Sequence, residues 1–198
     1  AYSRDSLKSA IENLNAEARD TAAFGTDALK GLQKLEENSV DCVVTDPPYG
    51  VEFESHHDSG THDYGIDGEE YADLMDATFA ELERVCKENA HLYIFFATKH
   101  FDEVTTIAEE YFDVTYTPLM WVKNNGSPTR SKDGFEKIYA HYYEPILFCR
   151  MSKGDERTIA PEGEQRSNVL EYARPKPRDR YHDSQKPREL LRHLIENS

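Results

Sequence analysis

Asp46-Pro47-Pro48-Tyr49 places a carboxylate, two prolines and a phenol ring on four consecutive residues, directly after the run Val40-Asp41-Cys42-Val43-Val44-Thr45. Proline fixes φ and lacks an N–H donor, so two in succession make a stiff turn whose carbonyls stay available to accept hydrogen bonds. A carboxylate, an accepting carbonyl and an aromatic ring on one rigid turn can bind an exocyclic amine and stack on the ring that carries it.

Three other groups of residues could carry chemistry. His56, His57, Asp58, His62 and Asp63 are rich in metal-binding types, but their spacing fits no standard zinc pattern. A polar loop explains them better, and no metal is expected. Arg174, Lys176, Arg178 and Arg180 alternate with Pro175 and Pro177. This is either a solvated extended linker or a row of phosphate contacts, since cations on extended backbone can follow a nucleic-acid strand. Cys42, Cys86 and Cys149 are scattered, with no C-x-x-C pair, which speaks against a disulfide scaffold and for a reducing cytoplasm.

The elements that must position these residues follow from periodicity. Leu7, Ile11 and Leu14 predict a helix over 6–19, and Thr21 to Phe24 a short strand. Asp27 is a candidate N-cap for a helix marked by Ala28, Leu29, Leu32 and Leu35. The valine-rich run from Val40 to Thr45 predicts a strand that Asp46-Pro47-Pro48 stops. A polar loop over 52–70 precedes an amphipathic helix carrying Tyr71, Leu74, Met75, Phe79, Leu82, Val85 and Cys86. His91 to Ala97, Val114 to Val122 and Glu144 to Cys149 predict strands, and Phe101 to Tyr111 a helix. A last helix opens at Pro187 and places Leu190, Leu191, Leu194 and Ile195 on one face. Segments 124–137 and 150–181 predict loops that face a nucleic acid. Strands alternating with helices imply an α/β fold with a mostly parallel central sheet, in one domain over 1–198. In such sheets ligands sit beyond the carboxyl ends of the strands, which is where Asp46 falls.

The 198 residues suit one domain with a real core, and no apolar run of membrane-spanning length exists. The net charge of −15 argues against a nucleic-acid partner when taken alone. Its distribution does not: residues 1–120 carry 26 acidic and 8 basic side chains, and residues 121–198 carry 12 and 15. A polyanion could dock on the later part while the acidic part faces solvent.

The tetrapeptide DPPY after a strand resembles the catalytic motif of the amino-methyltransferases that methylate adenine N6 with S-adenosylmethionine. The flanks extend the likeness. Asp27-Ala28-Leu29 to Leu32, Glu37-Asn38-Ser39-Val40-Asp41 and DPPY-Gly50 are similar to the N-terminal block of the permuted, beta-type members. Trp121-Val122-Lys123 resembles the family's Trp-x-Lys strand, and Tyr143-Glu144-Pro145-Ile146-Leu147-Phe148 its late strand. His182-Asp183-Ser184-Gln185-Lys186-Pro187 resembles the H-x-T-Q-K-P segment that opens a cofactor-contacting helix, with Ser184 where Thr is usual. Together the blocks span about residues 21–197.

The resemblance implies a Rossmann-like methyltransferase fold acting on double-stranded DNA with a flipped adenine. Asp46, Pro47, Pro48 and Tyr49 are the implied catalytic residues. Asp27, Asp46, Gln185, Lys186 and Pro187 are the implied contacts to S-adenosylmethionine. Arg174, Lys176, Arg178 and Arg180 are the implied contacts to DNA. An aromatic amine is a weak nucleophile because its lone pair is delocalised into the ring. Hydrogen bonds from its two N–H groups to the Asp46 side chain and the Pro47 carbonyl would favour a pyramidal nitrogen and localise that pair. Tyr49 would stack on the flipped base, at about 1–3 kcal/mol per base.

One family feature is missing. No two of the ten glycines are spaced i, i+2, so no F-x-G-x-G cofactor loop is present. The expectation is a fold incomplete at the C-terminus, since the chain ends at Asn197-Ser198 where the strand carrying that loop should begin. A split enzyme completed by a further segment, a homodimer, a non-catalytic nucleic-acid-binding module, and a cytosine-N4 or RNA methyltransferase remain the alternatives.

Overall fold

Period-two alternation decides which strand side chains face which way, and this chain uses both faces of its sheet. The computed structural model describes residues 27–48, 69–124, 142–151, 166–179 and 184–198. The chain divides into two units, Ala1–Leu35 and Glu36–Ser198. In the first, the Asp27 side chain accepts a hydrogen bond from the Lys30 amide at 3.2 Å and caps a short helix, α1 (Ala28–Leu32). This is the capping role expected of an aspartate before an apolar-periodic segment. The helix expected over 6–19, the strand over 21–24, the loop over 52–68 and nearly all of 124–137 lie outside the described residues.

Among the described residues the second unit holds five strands: β1 (Val40–Thr45), β2 (Cys86–Phe95), β3 (Asp113–Val122), β4 (Tyr143–Arg150) and β5 (Val169–Glu171). Their order in the sheet is β1-β2-β4-β3-β5. β1 pairs parallel with β2, and β5 parallel with β3, while β4 runs antiparallel to both its neighbours. All strands but β4 therefore share one direction, as a mostly parallel sheet requires. The carboxyl ends of β1, β2 and β3 consequently meet the amino end of β4 along one edge.

Among the described residues three helices flank the sheet: α2 (Glu69–Val85), α3 (Phe101–Glu109) and α4 (Arg188–Glu196). On α2, Tyr71, Met75, Phe79, Leu82 and Val85 recur every three or four residues and are all buried. The Phe79 ring meets that of Phe112 edge-on at 5.5 Å, where the chain leaves α3. The other sheet face carries Tyr93, Phe95, Trp121, Ile146 and Leu170, which pack with Leu190 and Leu194 of α4 into one buried cluster. Cys42, Val44 and Leu191 close its margin. Truncating a buried side chain of this size typically costs about 2–5 kcal/mol, so α4 is held mainly by its leucines.

The structure differs from the sequence expectation at several points. β2 begins at Cys86 rather than His91, directly after α2. Cys86 pairs with Val40, and an irregularity then brings His91 opposite Cys42. Val169–Glu171, expected as loop, forms β5, because the exposed end of β3 offers an unpaired ladder. Ile195, placed on the apolar face of α4, is 56% exposed, since the buried face centres on Leu190 and Leu194.

Candidate active site

β1 is parallel to β2 up to the pair Thr45 and Ile94, and the two prolines then stop it. Asp46 is left at the carboxyl edge of the sheet, with Pro47 and Pro48 half-buried behind it. β3 leaves its ladder at Val122, paired with Tyr143, and Trp121 pairs with Glu144 at the start of β4. Lys123 and Glu144 thus reach the same edge from neighbouring strands. The segment Gln185-Lys186-Pro187 arrives there as well, because Pro187 occupies the N-cap position of α4 and its carbonyl accepts the Leu191 amide at 3.1 Å.

These four charged side chains form one alternating row. Lys186 Nζ lies 2.7 Å from Asp46 Oδ2 and 3.1 Å from Glu144 Oε2. The other Glu144 oxygen, Oε1, accepts from Lys123 Nζ at 2.5 Å. Each ammonium also sits over an aromatic face: Lys186 5.0 Å from the Phe95 ring centre, Lys123 5.1 Å from that of Trp121. Trp121 is fixed in turn by its indole N–H, which donates to the Tyr172 carbonyl at 2.8 Å.

The electrostatics follow from burial and neighbours. Burial alone would push the Glu144 carboxyl up, but Lys186 and Lys123 on either side hold it below its ordinary value. Unit charges 4 Å apart attract by about 4 kcal/mol at an effective dielectric near 20. Desolvation of the ions offsets much of that gain, so the row fixes geometry more than it adds stability. Both ammonium-bearing side chains are under one-tenth exposed, whereas Asp46 is 33% exposed. The row therefore presents a carboxylate at its accessible end.

A family model for DNA methylases, the N6 and N4 methyltransferases, matches residues 40–198. The chain belongs to this DNA methylase family. Among its relatives, the type II methyltransferase M.HpaI of Haemophilus parainfluenzae is 33% identical over 91 residues, covering 46% of this chain and 28% of that protein. The DNA adenine methyltransferase YhdJ of Escherichia coli K12 is 26% identical, over 85% of this chain and 64% of that protein. The chain thus spans less than two thirds of either relative's length. The fold is that of the M1.HpyAVI–SAM complex, with a TM-score of 0.59 at 19% identity, over 86% of this chain and 72% of that one.

The structure brings together Asp46, Pro47, Pro48, Lys186 and Pro187, which come from sequence positions far apart. Tyr49 and Arg180 lie outside the described residues, as does the histidine group between 56 and 63. Asp27 belongs to the other unit of the chain. Arg174 is half-buried, while Lys176 and Arg178 are exposed. The expected extended row is interrupted by a 3-10 turn at Pro177–Asp179, where the Asp179 amide donates to the Lys176 carbonyl at 2.8 Å. No group of acidic, histidine and cysteine side chains that could hold a metal occurs among the described residues. No helix among them is long and apolar enough to cross a membrane. Sequence reasoning missed Glu144 and Lys123 as site residues, although it placed both in family-like strands. The available signal was a charge flanking an apolar run, Lys123 after Leu119-Met120-Trp121-Val122 and Glu144 before Pro145-Ile146-Leu147-Phe148, on neighbours whose register brings them to one edge.

Proposed function

We propose that this methylase transfers a methyl group from S-adenosylmethionine to the N6 amine of an adenine flipped out of duplex DNA. The observation that carries this reading is Asp46, exposed at the carboxyl end of β1 on a double-proline turn and tied to the head of α4 by Lys186. Membership of the DNA methylase family supports the reaction class, and the activity for which the Escherichia coli relative is named supports adenine. The residues present suit the cofactor's charge. Its sulfonium and ammonium are cations, and the accessible end of the charged row is the Asp46 carboxylate. Asp46, Gln185, Lys186 and Pro187 would line that region. When bound, S-adenosylmethionine supplies the electrophilic methyl carbon.

The chain's own part is to hold the amine. Asp46 accepts one N–H and the Pro47 carbonyl the other, which localises the nitrogen lone pair. This nitrogen would take the methyl group from a bound cofactor, the C–S bonding pair leaving with sulfur, and its surplus proton would go to solvent. Tyr49 stacks on the base, and Pro48 keeps the turn stiff. Arg174, Lys176, Arg178 and Arg180 contact DNA phosphates. Cys42, Cys86 and Cys149, scattered and without a C-x-x-C pair, suit a reducing, cytoplasmic setting.

The test is labelled-methyl transfer to DNA by the full-length protein and its Asp46→Ala variant, with the product base identified by chromatography. N6-methyladenine from the wild type and none from the variant is expected. Undiminished transfer by Asp46→Ala would sink the assignment, and N4-methylcytosine as product would move the reading to cytosine.

A further inference from the structure

We propose that Glu144 is a positioning residue for the Asp46 turn and acts through Lys186, an inference that rests on the function proposed above. The two carboxylates that meet Lys186 come from strands that are not neighbours: Asp46 follows β1, Glu144 opens β4, and β2 lies between them. The end of β2 supplies the Phe95 ring beside the same ammonium. Lys186 is thereby clamped across three strands at the point where α4 begins.

A lysine has about 2 kcal/mol of rotamer entropy to lose when it is fixed, and a buried ammonium without counter-charges is strongly disfavoured. Asp46 alone could pair with this ammonium and yet leave it to swing out with the turn. Glu144 anchors it from the sheet side. Lys123 completes the arrangement, because a carboxylate facing one ammonium from each side is ionised in spite of burial. Two cations and two anions alternate and sum to zero. Glu144 is too deep in this row to meet the substrate amine, so its influence on the reaction passes through Lys186 to Asp46.

Charge balance makes the role testable. Glu144→Gln is close to isosteric and leaves two ammoniums facing a single carboxylate. Lys123→Gln/Glu144→Gln restores neutrality while still lacking the Glu144 charge. Methyl transfer to DNA is measured with the full-length wild type and both variants, and the Lys186 ammonium is followed by NMR, in which ion-paired lysines give sharp signals. Glu144→Gln should lower kcat about 100-fold, the cost of a roughly 1 Å misplacement, with KM for DNA unchanged, and the double variant, which lacks the same anchor, should stay at least about tenfold below the wild type. The Lys186 signal should broaden in both variants. A single variant with wild-type kcat and a sharp signal overturns the inference, as does a double variant with wild-type kcat, which would trace the loss to net charge rather than to the anchor. If the wild type transfers no methyl group, the function reading fails while the NMR arm still decides whether Glu144 holds Lys186.

Discussion

Lys186 Nζ lies 2.7 Å from Asp46 Oδ2, so an ion pair spanning 140 positions of sequence joins the head of α4 to the turn after β1. Each partner has its own reason to be there. The prolines stop β1 and leave Asp46 at the sheet edge, and Leu190 and Leu194 anchor α4 on the Trp121 face, which brings Lys186 over Phe95.

Lys186→Met tests how much of the arrangement this one ammonium holds. Removing it leaves Glu144 with Lys123 alone and Asp46 without this partner. Breaking a buried pair by deleting one member costs about 3–5 kcal/mol, and the exposure of Asp46 places this case at or below the lower end. Urea unfolding should show a lower midpoint with an unchanged slope. An unchanged midpoint would mean that α4 is held by its leucines alone.

The Glu144 carboxyl gives a pH signature with a definite sign. Its folded value lies below its ordinary one because Lys186 and Lys123 outweigh burial. A carboxyl lowered by folding adds stability that is present at neutral pH and is lost as pH falls through its folded value. The stability advantage of the wild type over Glu144→Gln should therefore be constant from neutral pH down to the ordinary carboxyl range and shrink as pH falls through and below it. Unfolding midpoints measured across that range check it. An advantage that grew on acidification would reverse the assigned direction.

The fold was legible where one physical rule dominated. Met75, Phe79 and Leu82 announce α2 by spacing, and the Val40–Thr45 run ended by Pro47 announces both a strand and its stop. β5 was not legible, because Val169, Leu170 and Glu171 form a strand only by pairing with β3, some fifty residues earlier. The same division holds in the site. Asp46 declares itself through its two prolines, whereas Lys186 was marked only by the resemblance of the segment that ends at Pro187. Glu144 and Lys123 acquire meaning only when antiparallel pairing of β3 with β4 sets Trp121 opposite Glu144.

The basic stretch after β5 offers a prediction about DNA. Lys176 and Arg178 are exposed, and the Arg178–Asp179 pair, at 3.7 Å on the surface, is too weak to keep that guanidinium from a phosphate. The residues before position 121 are strongly acidic and would repel a polyanion, so binding should fall on the later part of the chain. Neutralising Arg174, Lys176, Arg178 and Arg180 together should weaken binding to all duplex sequences alike. The log–log salt dependence should flatten by about 0.9 for each phosphate that is no longer neutralised. Arg174, being half-buried, should contribute less to that slope than Lys176 or Arg178 when each is changed singly. Fluorescence anisotropy with labelled duplexes at several salt concentrations measures both affinity and slope. Unchanged affinity with an unchanged slope would reduce the stretch to a linker between β5 and α4, and place the DNA-facing surface elsewhere on the sheet edge.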